Sequence, residues 1–275
     1  MGRILATTLL MICGAATASA QSTDFRWAGT VERGKAIEIK GVNGELHAEF
    51  TSGNQVEVVA TKRANRSDVN SVSVQVVQEN GNVTICAVYP TPERRYRRNG
   101  RNSSGNSDNG PNECRPGDVG RMRVDNNDVK VDFTVKVPAG VKFFGTTVNG
   151  AIDARSLRSD VDVQTVNGRI DLSTTGLGSA TTVNGSIVAS LGSSSGTEPL
   201  EFRTVNGSIT VTLPKDVNAN LHAQTLNGGF DSEFPVMVQS LRGRNKRISG
   251  TIGKGGRDLD LHTVNGSIRL QSVPN

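Results

Sequence analysis

Aromatic residues are scarce, 4% of a 275-residue chain with one Trp and two Tyr. That argues against a membrane β-barrel, which needs aromatic girdles at both interfaces, and it suits a narrow core filled by Val, Ile and Leu. Cysteine is equally sparse: Cys13, Cys86 and Cys114, with no CxxC pair and no Cys/His cluster. The three histidines, His47, His222 and His262, fall at polar phases of separate segments with no acidic ligand keeping their spacing, so no metal is expected. There is no phosphate loop or dinucleotide fingerprint, and no cofactor is expected. Beyond the first 20 residues no apolar run is long enough for a spanning helix, which needs about 18.

Residues 1–20 read as a secretion signal. Arg3 gives the positive end, Ile4 to Ala16 the apolar stretch, and Ala18-Ser19-Ala20 the small-residue cleavage site. Cys13 follows Leu10-Met11-Ile12, where a lipidation site wants a small residue, so no lipid anchor is expected. The expected product is exported, to the periplasm, the cell surface or the medium. In an oxidising compartment Cys86 and Cys114 are expected to form a disulfide worth on the order of 3 kcal/mol by chain entropy.

What the chain does have is a repeat. Thr-Val-Asn-Gly-Ser-Ile and its near copies place asparagines at Asn43, Asn149, Asn167, Asn184, Asn206, Asn227 and Asn265. From Asn149 the steps are 18, 17, 22 and 21 residues, and the last gap is 38, about two steps. The sequence places a degenerate copy in that gap at Ile248-Ser249-Gly250-Thr251-Ile252. The residue before each Asn is aliphatic and the residue three after is large and apolar.

Upstream of each Asn, apolar and polar residues alternate, as in Val161, Val163 and Thr165; downstream the apolar set shifts parity, as in Ile170 and Leu172. The chain therefore turns at Asn-Gly, two residues that tolerate positive φ. A two-residue hairpin would set Val163 opposite Leu172. A β-solenoid would instead make each Asn-Gly a corner and stack like residues in ladders, and this also explains why Thr recurs before Val. The expected fold is all-β: a single-stranded, β-helix-like solenoid of about seven Thr-Val-Asn-Gly-x-Ile coils over residues 138–275. An N-terminal β region, residues 21–137, precedes it. There Lys35 to Phe50 is expected to cap one end, and Val72 to Pro90 to form a hairpin about Asn80-Gly81. Residues 91–127, rich in Arg, Asn, Ser and Gly, read as a mobile loop.

Three features carry candidate chemistry. The loop holds Arg94, Arg95, Tyr96, Arg97, Arg98 and Arg101, a basic cluster able to bind an envelope glycan or another polyanion; its other reading is a solvated loop. Export argues against nucleic acid as its partner. Asp153 and Asp171 sit four residues after neighbouring Asn residues, so stacked coils would bring their carboxylates to roughly 5 Å, the retaining-glycosidase separation; Arg169 could simply neutralise the pair. The asparagines would be either a ligand-contacting ridge or structural turns, and turn geometry is the stronger reading.

The signal segment, Gly41-Val42-Asn43-Gly44, the Phe133-to-Val141 approach and the serial Thr-Val-Asn-Gly-x-Ile copies together resemble the bacterial putative-adhesin family, a β-solenoid domain of unknown function. The likeness spans nearly the whole exported chain. It implies a non-enzymatic envelope protein and supplies no receptor; the expected function is an adhesin-like scaffold or binding module, whose partner would be an envelope glycan, another polyanion or a protein. The alternatives are a glycan-active enzyme using Asp153 and Asp171, and an envelope-stress signalling partner.

Overall fold

The computed structural model describes residues 24–92, 111–117, 122–193, 197–241 and 246–273, and among these it is all-β apart from one 3-10 turn at Val69–Ser71. The N-terminal strands are β1 (Asp24–Gly29), β2 (Ala36–Lys40), β3 (Leu46–Thr51), β4 (Val56–Arg63), β5 (Ser73–Glu79), β6 (Asn82–Val88) and β7 (Lys130–Pro138). Next come β8 (Lys142–Thr146), β9 (Ile152–Leu157), β10 (Val161–Gln164), β11 (Ile170–Thr174), β12 (Gly178–Thr181) and β13 (Ile187–Leu191). The chain continues with β14 (Leu200–Arg203), β15 (Ile209–Leu213), β16 (Ala219–Asn227) and β17 (Phe230–Ser232). It closes with β18 (Met237–Leu241), β19 (Lys246–Ile252), β20 (Arg257–Asn265) and β21 (Ile268–Ser272).

These strands form two sheets, a β-solenoid-like arrangement. The first runs β1-β4-β7-β3-β9-β11-β13-β15-β21-β17, the second β18-β19-β16-β20-β14-β12-β10-β8-β2-β6-β5. Each repeat Asn joins a strand of the second sheet to a strand of the first, so Val163 and Leu172 lie in different sheets and the hairpin alternative falls away. Neighbouring repeats pair in parallel and in register: Ile152, Ile170, Ile187, Ile209 and Ile268 stand side by side, all at most 1% exposed. Burying each such side chain is worth about 1.5–3 kcal/mol, and the alternation read from sequence is what aims them inward.

The order of stacking departs from the sequence expectation in three places. The Asn43 repeat is not a cap: β2 and β3 pair directly with β8 and β9, so the stack begins before residue 138. Its outer neighbours are β6 and β5 in one sheet and β7, β4 and β1 in the other, and β5 and β6 do form the hairpin about Asn80-Gly81. At the far end, β20 and β21 insert between the Asn206 and Asn227 repeats, giving the order Asn43, Asn149, Asn167, Asn184, Asn206, Asn265, Asn227. The segment Ile248–Ile252 is no repeat at all. It lies in β19, paired antiparallel between β16 and the edge strand β18 of the second sheet.

The corners also differ in cause. Among the corner Asn and Gly residues only Gly44 has positive φ, so turn strain does not select them. Glycine is selected by close stacking. A Cβ on Gly150, Gly168, Gly185, Gly207, Gly266 or Gly228 would fall under 3.0 Å from the carbonyl oxygen of the neighbouring corner glycine. Threonine has a matching task. Thr147, Thr165, Thr182, Thr204, Thr263 and Thr225 are buried, and each Oγ1 donates at 2.8–3.1 Å to the carbonyl oxygen of the corner glycine in the preceding rung. Thus the threonines bond across rungs to backbone rather than to one another. Thr204→Val, which keeps the shape, should strand the Gly185 carbonyl and cost about 1–2 kcal/mol in urea denaturation; a change under about 0.3 kcal/mol would show that the bond contributes nothing.

The first rung has Gly41 where the others have Thr. Its corner is closed by Tyr89, whose hydroxyl donates to Val129 O at 2.8 Å and lies 3.4 Å from Asn43 O. Burial pushes this phenol up to about 12, against the opposing pull of the Asn43 hydrogen bonds.

Candidate functional site

The sequence-derived candidates separate in space. The repeat asparagines form one exposed line in which each Nδ2 donates to the Oδ1 of its neighbour at 2.7–2.8 Å, from Asn149 on Asn43 to Asn227 on Asn265. Beside them runs a row of partly exposed apolar residues, Val166, Val183, Val205 and Leu226, at 37–44%. Arg94, Arg95, Tyr96, Arg97, Arg98 and Arg101 lie outside the described residues. Cys86 and Cys114 are bonded, with Cα atoms 5.5 Å apart. Around that bond Lys40 Nζ donates to Arg115 O at 2.6 Å and the Gly117 amide donates to Glu38 Oε2 at 3.1 Å, clasping residues 111–117 onto β2 and β6.

Asp153 and Asp171 are register neighbours on β9 and β11. Basic side chains surround them. Arg155 lies 2.8 Å from Asp153 and 3.5 Å from Asp171, Arg169 pairs with Asp171, and His47 stands 3.8 Å from Asp153. Both carboxylates thus sit in a cross-linked strip of ion pairs, as the neutralised reading of the sequence anticipates.

The place where unlike polar groups converge is the outer face of the second sheet, a cleft of about 380 Å³ over β14, β20, β16 and β19. Strand alternation turns Leu259, Leu261, Leu221 and Ala223 inward and leaves Asp260, His262, His222 and Gln224 outward. Register then writes two rows across the four strands. One is Arg203, His262, Gln224, Arg247; the other is Glu201, Asp260, His222, Ser249. Neighbours within a row stand one strand apart, about 4.8 Å. Arg203 pairs with Glu201, and His222 Nε2 is 4.0 Å from Asp258, which Asn220 also donates to. Arg247 forms no ion pair among the described residues. Two strands further along the acidic row, Asp162 is pushed up by burial and by Glu201, with Gln164 opposing.

Sequence reasoning missed this cleft because its rows depend on β20 docking between β14 and β16. His222 and His262 sit diagonally on neighbouring strands: His262 stands beside Gln224, and His222 beside Asp260. Among the described residues no His, Cys, Asp or Glu group is arranged to hold a metal ion, and no helix is long and apolar enough to cross a membrane.

A second cleft of about 680 Å³ opens at the start of the asparagine line, between Asn43, Asn149 and residues 122–128. Its carboxylate, Asp128, already accepts backbone N–H groups of Asn65, Arg66 and Ser67, and the Ser67 hydrogen bonds lead in holding it at about 2.

Comparison with known proteins agrees with the fold. No curated protein matches the chain. A putative cell adhesion protein from Clostridium sporogenes ATCC 15579 superposes with a TM-score of 0.52 over 92% of this chain and 100% of that one, at 9% identity. A putative adhesin from Bacteroides fragilis NCTC 9343 aligns over 92% of this chain and 99% of its own, at 11% identity and a TM-score of 0.32. The model of one family, Toastrack DUF4097, matches residues 120–271, which takes in every rung from Asn149 onward. More than half the chain is thereby covered, and the chain belongs to the Toastrack DUF4097 family, in agreement with its sequence resemblance to a putative-adhesin family of unknown function.

Proposed function

We propose that this chain is an exported, non-enzymatic module of the cell envelope: a stiff rod of single-stranded Thr-Val-Asn-Gly-x-Ile rungs that presents a binding surface, as an adhesin does. The observation that carries this reading is the unbroken corner ladder. Asn amides, Thr hydroxyls and glycine carbonyls bond one another along the whole stack, so the repeat's polar groups are spent on rigidity. Rigid, regular faces lower the entropy lost on binding a partner. The likeness in fold to a putative cell adhesion protein adds support.

The test pairs binding with turnover. Wild type and the double variant Asp153→Asn, Asp171→Asn are incubated with bacterial envelope glycans, on a binding array and in a reducing-sugar assay. Both proteins should bind the same glycans and release no reducing ends. Cleavage by wild type that disappears in the double variant would instead establish a glycan-active enzyme.

A further inference from the structure

The cleft on the second sheet has a composition that selects a ligand. We propose that it binds a carboxylate-bearing sugar, with His222 and His262 setting the pH at which the acid is admitted; this rests on the binding-module reading above and names its ligand class.

The argument begins with charge. The charged and titratable groups lining the cleft are Arg203 on β14, Asp260 and His262 on β20, His222 on β16 and Arg247 on β19; Glu201, paired with Arg203, and Asp258, 4.0 Å from His222, flank it on the same outward face. On the far side of β14 the register neighbours are Ser179 and Thr181, both neutral. With both imidazoles neutral, two guanidiniums face three carboxylates, a balance of minus one. With both protonated the balance is plus one. Histidine is the side chain that makes this change between about pH 5 and 8, so the outward patch formed by the cleft and its two flanking carboxylates turns from net negative to net positive as pH falls, and the cleft holds an anion more strongly.

Geometry then separates acid from hydroxyl. Arg203, His262, Gln224 and Arg247 form a row of donors, and Arg247 offers a planar fork without an ion-pair partner among the described residues. Such a fork takes a carboxylate through two parallel hydrogen bonds. Asp260 and Glu201 in the adjoining row accept, as sugar hydroxyls require. A uronic acid presents both groups on one ring, whereas an inorganic anion would leave the acidic row facing its charge. The cavity, about 380 Å³, falls in the range of small-ligand sites, roughly 300–1,000 Å³.

Calorimetric titration of the full protein with trigalacturonate tests this, at about pH 5.5 and about pH 8. Binding should be about tenfold tighter at the lower pH, as expected for a reversal of local charge, and should weaken with salt. Methyl-esterified trigalacturonate should bind at least tenfold more weakly. Arg247→Gln should lose about tenfold at both pH values, and the double variant His222→Gln, His262→Gln should erase the pH dependence. These side chains sit on the sheet's outer face, so circular dichroism should be unchanged. Equal affinity for acid and ester, or unaltered binding by the variants, overturns the proposal. If the variants also keep all array binding, the module reading stands and only this site fails; if wild type binds nothing on the array, the module reading fails with it.

Discussion

Gly185→Ala should cost about 4 kcal/mol and lower Tm by roughly 10 °C, a large effect for one methyl group. At this position φ is not positive, so an L side chain meets no backbone penalty. By itself, replacing glycine would restrict the unfolded chain and stabilise by about 0.4–1 kcal/mol. Stacking reverses the sign. The added Cβ would fall under 3.0 Å from Gly168 O, Gly168 C and Arg169 N, all backbone atoms that have no rotamer to yield. To admit it, the two rungs must part, which stretches the Asn184 to Asn167 amide bond and the Thr182 to Gly168 hydroxyl bond. Gly34→Ala is the contrast: φ is +82° and nothing lies within 4 Å, so its cost is the left-handed conformation alone, about 1 kcal/mol. Thermal denaturation of both variants decides the matter. If Gly185→Ala melts within a degree or two of wild type while Gly34→Ala does not, corner conformation rather than rung spacing selects glycine.

The sequence makes the rung legible and leaves the stack illegible. Alternation in Val161-Val163 and Ile170-Leu172 identifies inward residues because each rung obeys strand periodicity locally. The recurrence of Thr before Val signals that like positions stack, although the acceptor is a neighbouring carbonyl, which lies in a different rung and leaves no mark on the spacing. Rung order is another matter. The Asn227 and Asn265 rungs have equivalent edges, and each could dock on the Asn206 rung by motif alone. The antiparallel β16–β19–β18 unit decides between them, since it occupies the outer edge of the Asn227 rung and leaves the inner edge for β20. That inversion places His262 beside Arg203, so the cleft could not be read without it. The carboxylate pair was legible from spacing, and so was Arg169; Arg155, two residues beyond Asp153 on β9, and His47, at the same phase of the Asn43 rung, are the further basic neighbours that register brings to it.

Arg257 breaks the pattern from inside. It opens β20 at the inward phase shared with Leu259 and Leu261, is 3% exposed, and none of Nε, Nη1 and Nη2 has a hydrogen-bond partner among the described residues. Burial pushes the guanidinium pKa down from its usual value, the direction expected when a charge leaves water uncompensated. Isolated burial of a cation costs several kcal/mol even after the surroundings relax, while the side chain's methylene stem still contributes apolar contact. Arg257→Met keeps the stem and removes the charge. Its flexible thioether adapts to the space left by the guanidinium, so the variant should be more stable than wild type by about 2–3 kcal/mol, raising Tm by roughly 5–10 °C. Arg257→Ala removes charge and stem together, and the cavity it leaves should cancel most of the gain. Guanidinium denaturation of the three proteins orders them: Met above Ala, and Ala near wild type. A Met variant less stable than wild type would mean that the guanidinium stabilises the fold, and the reading of Arg257 as an uncompensated charge would fall.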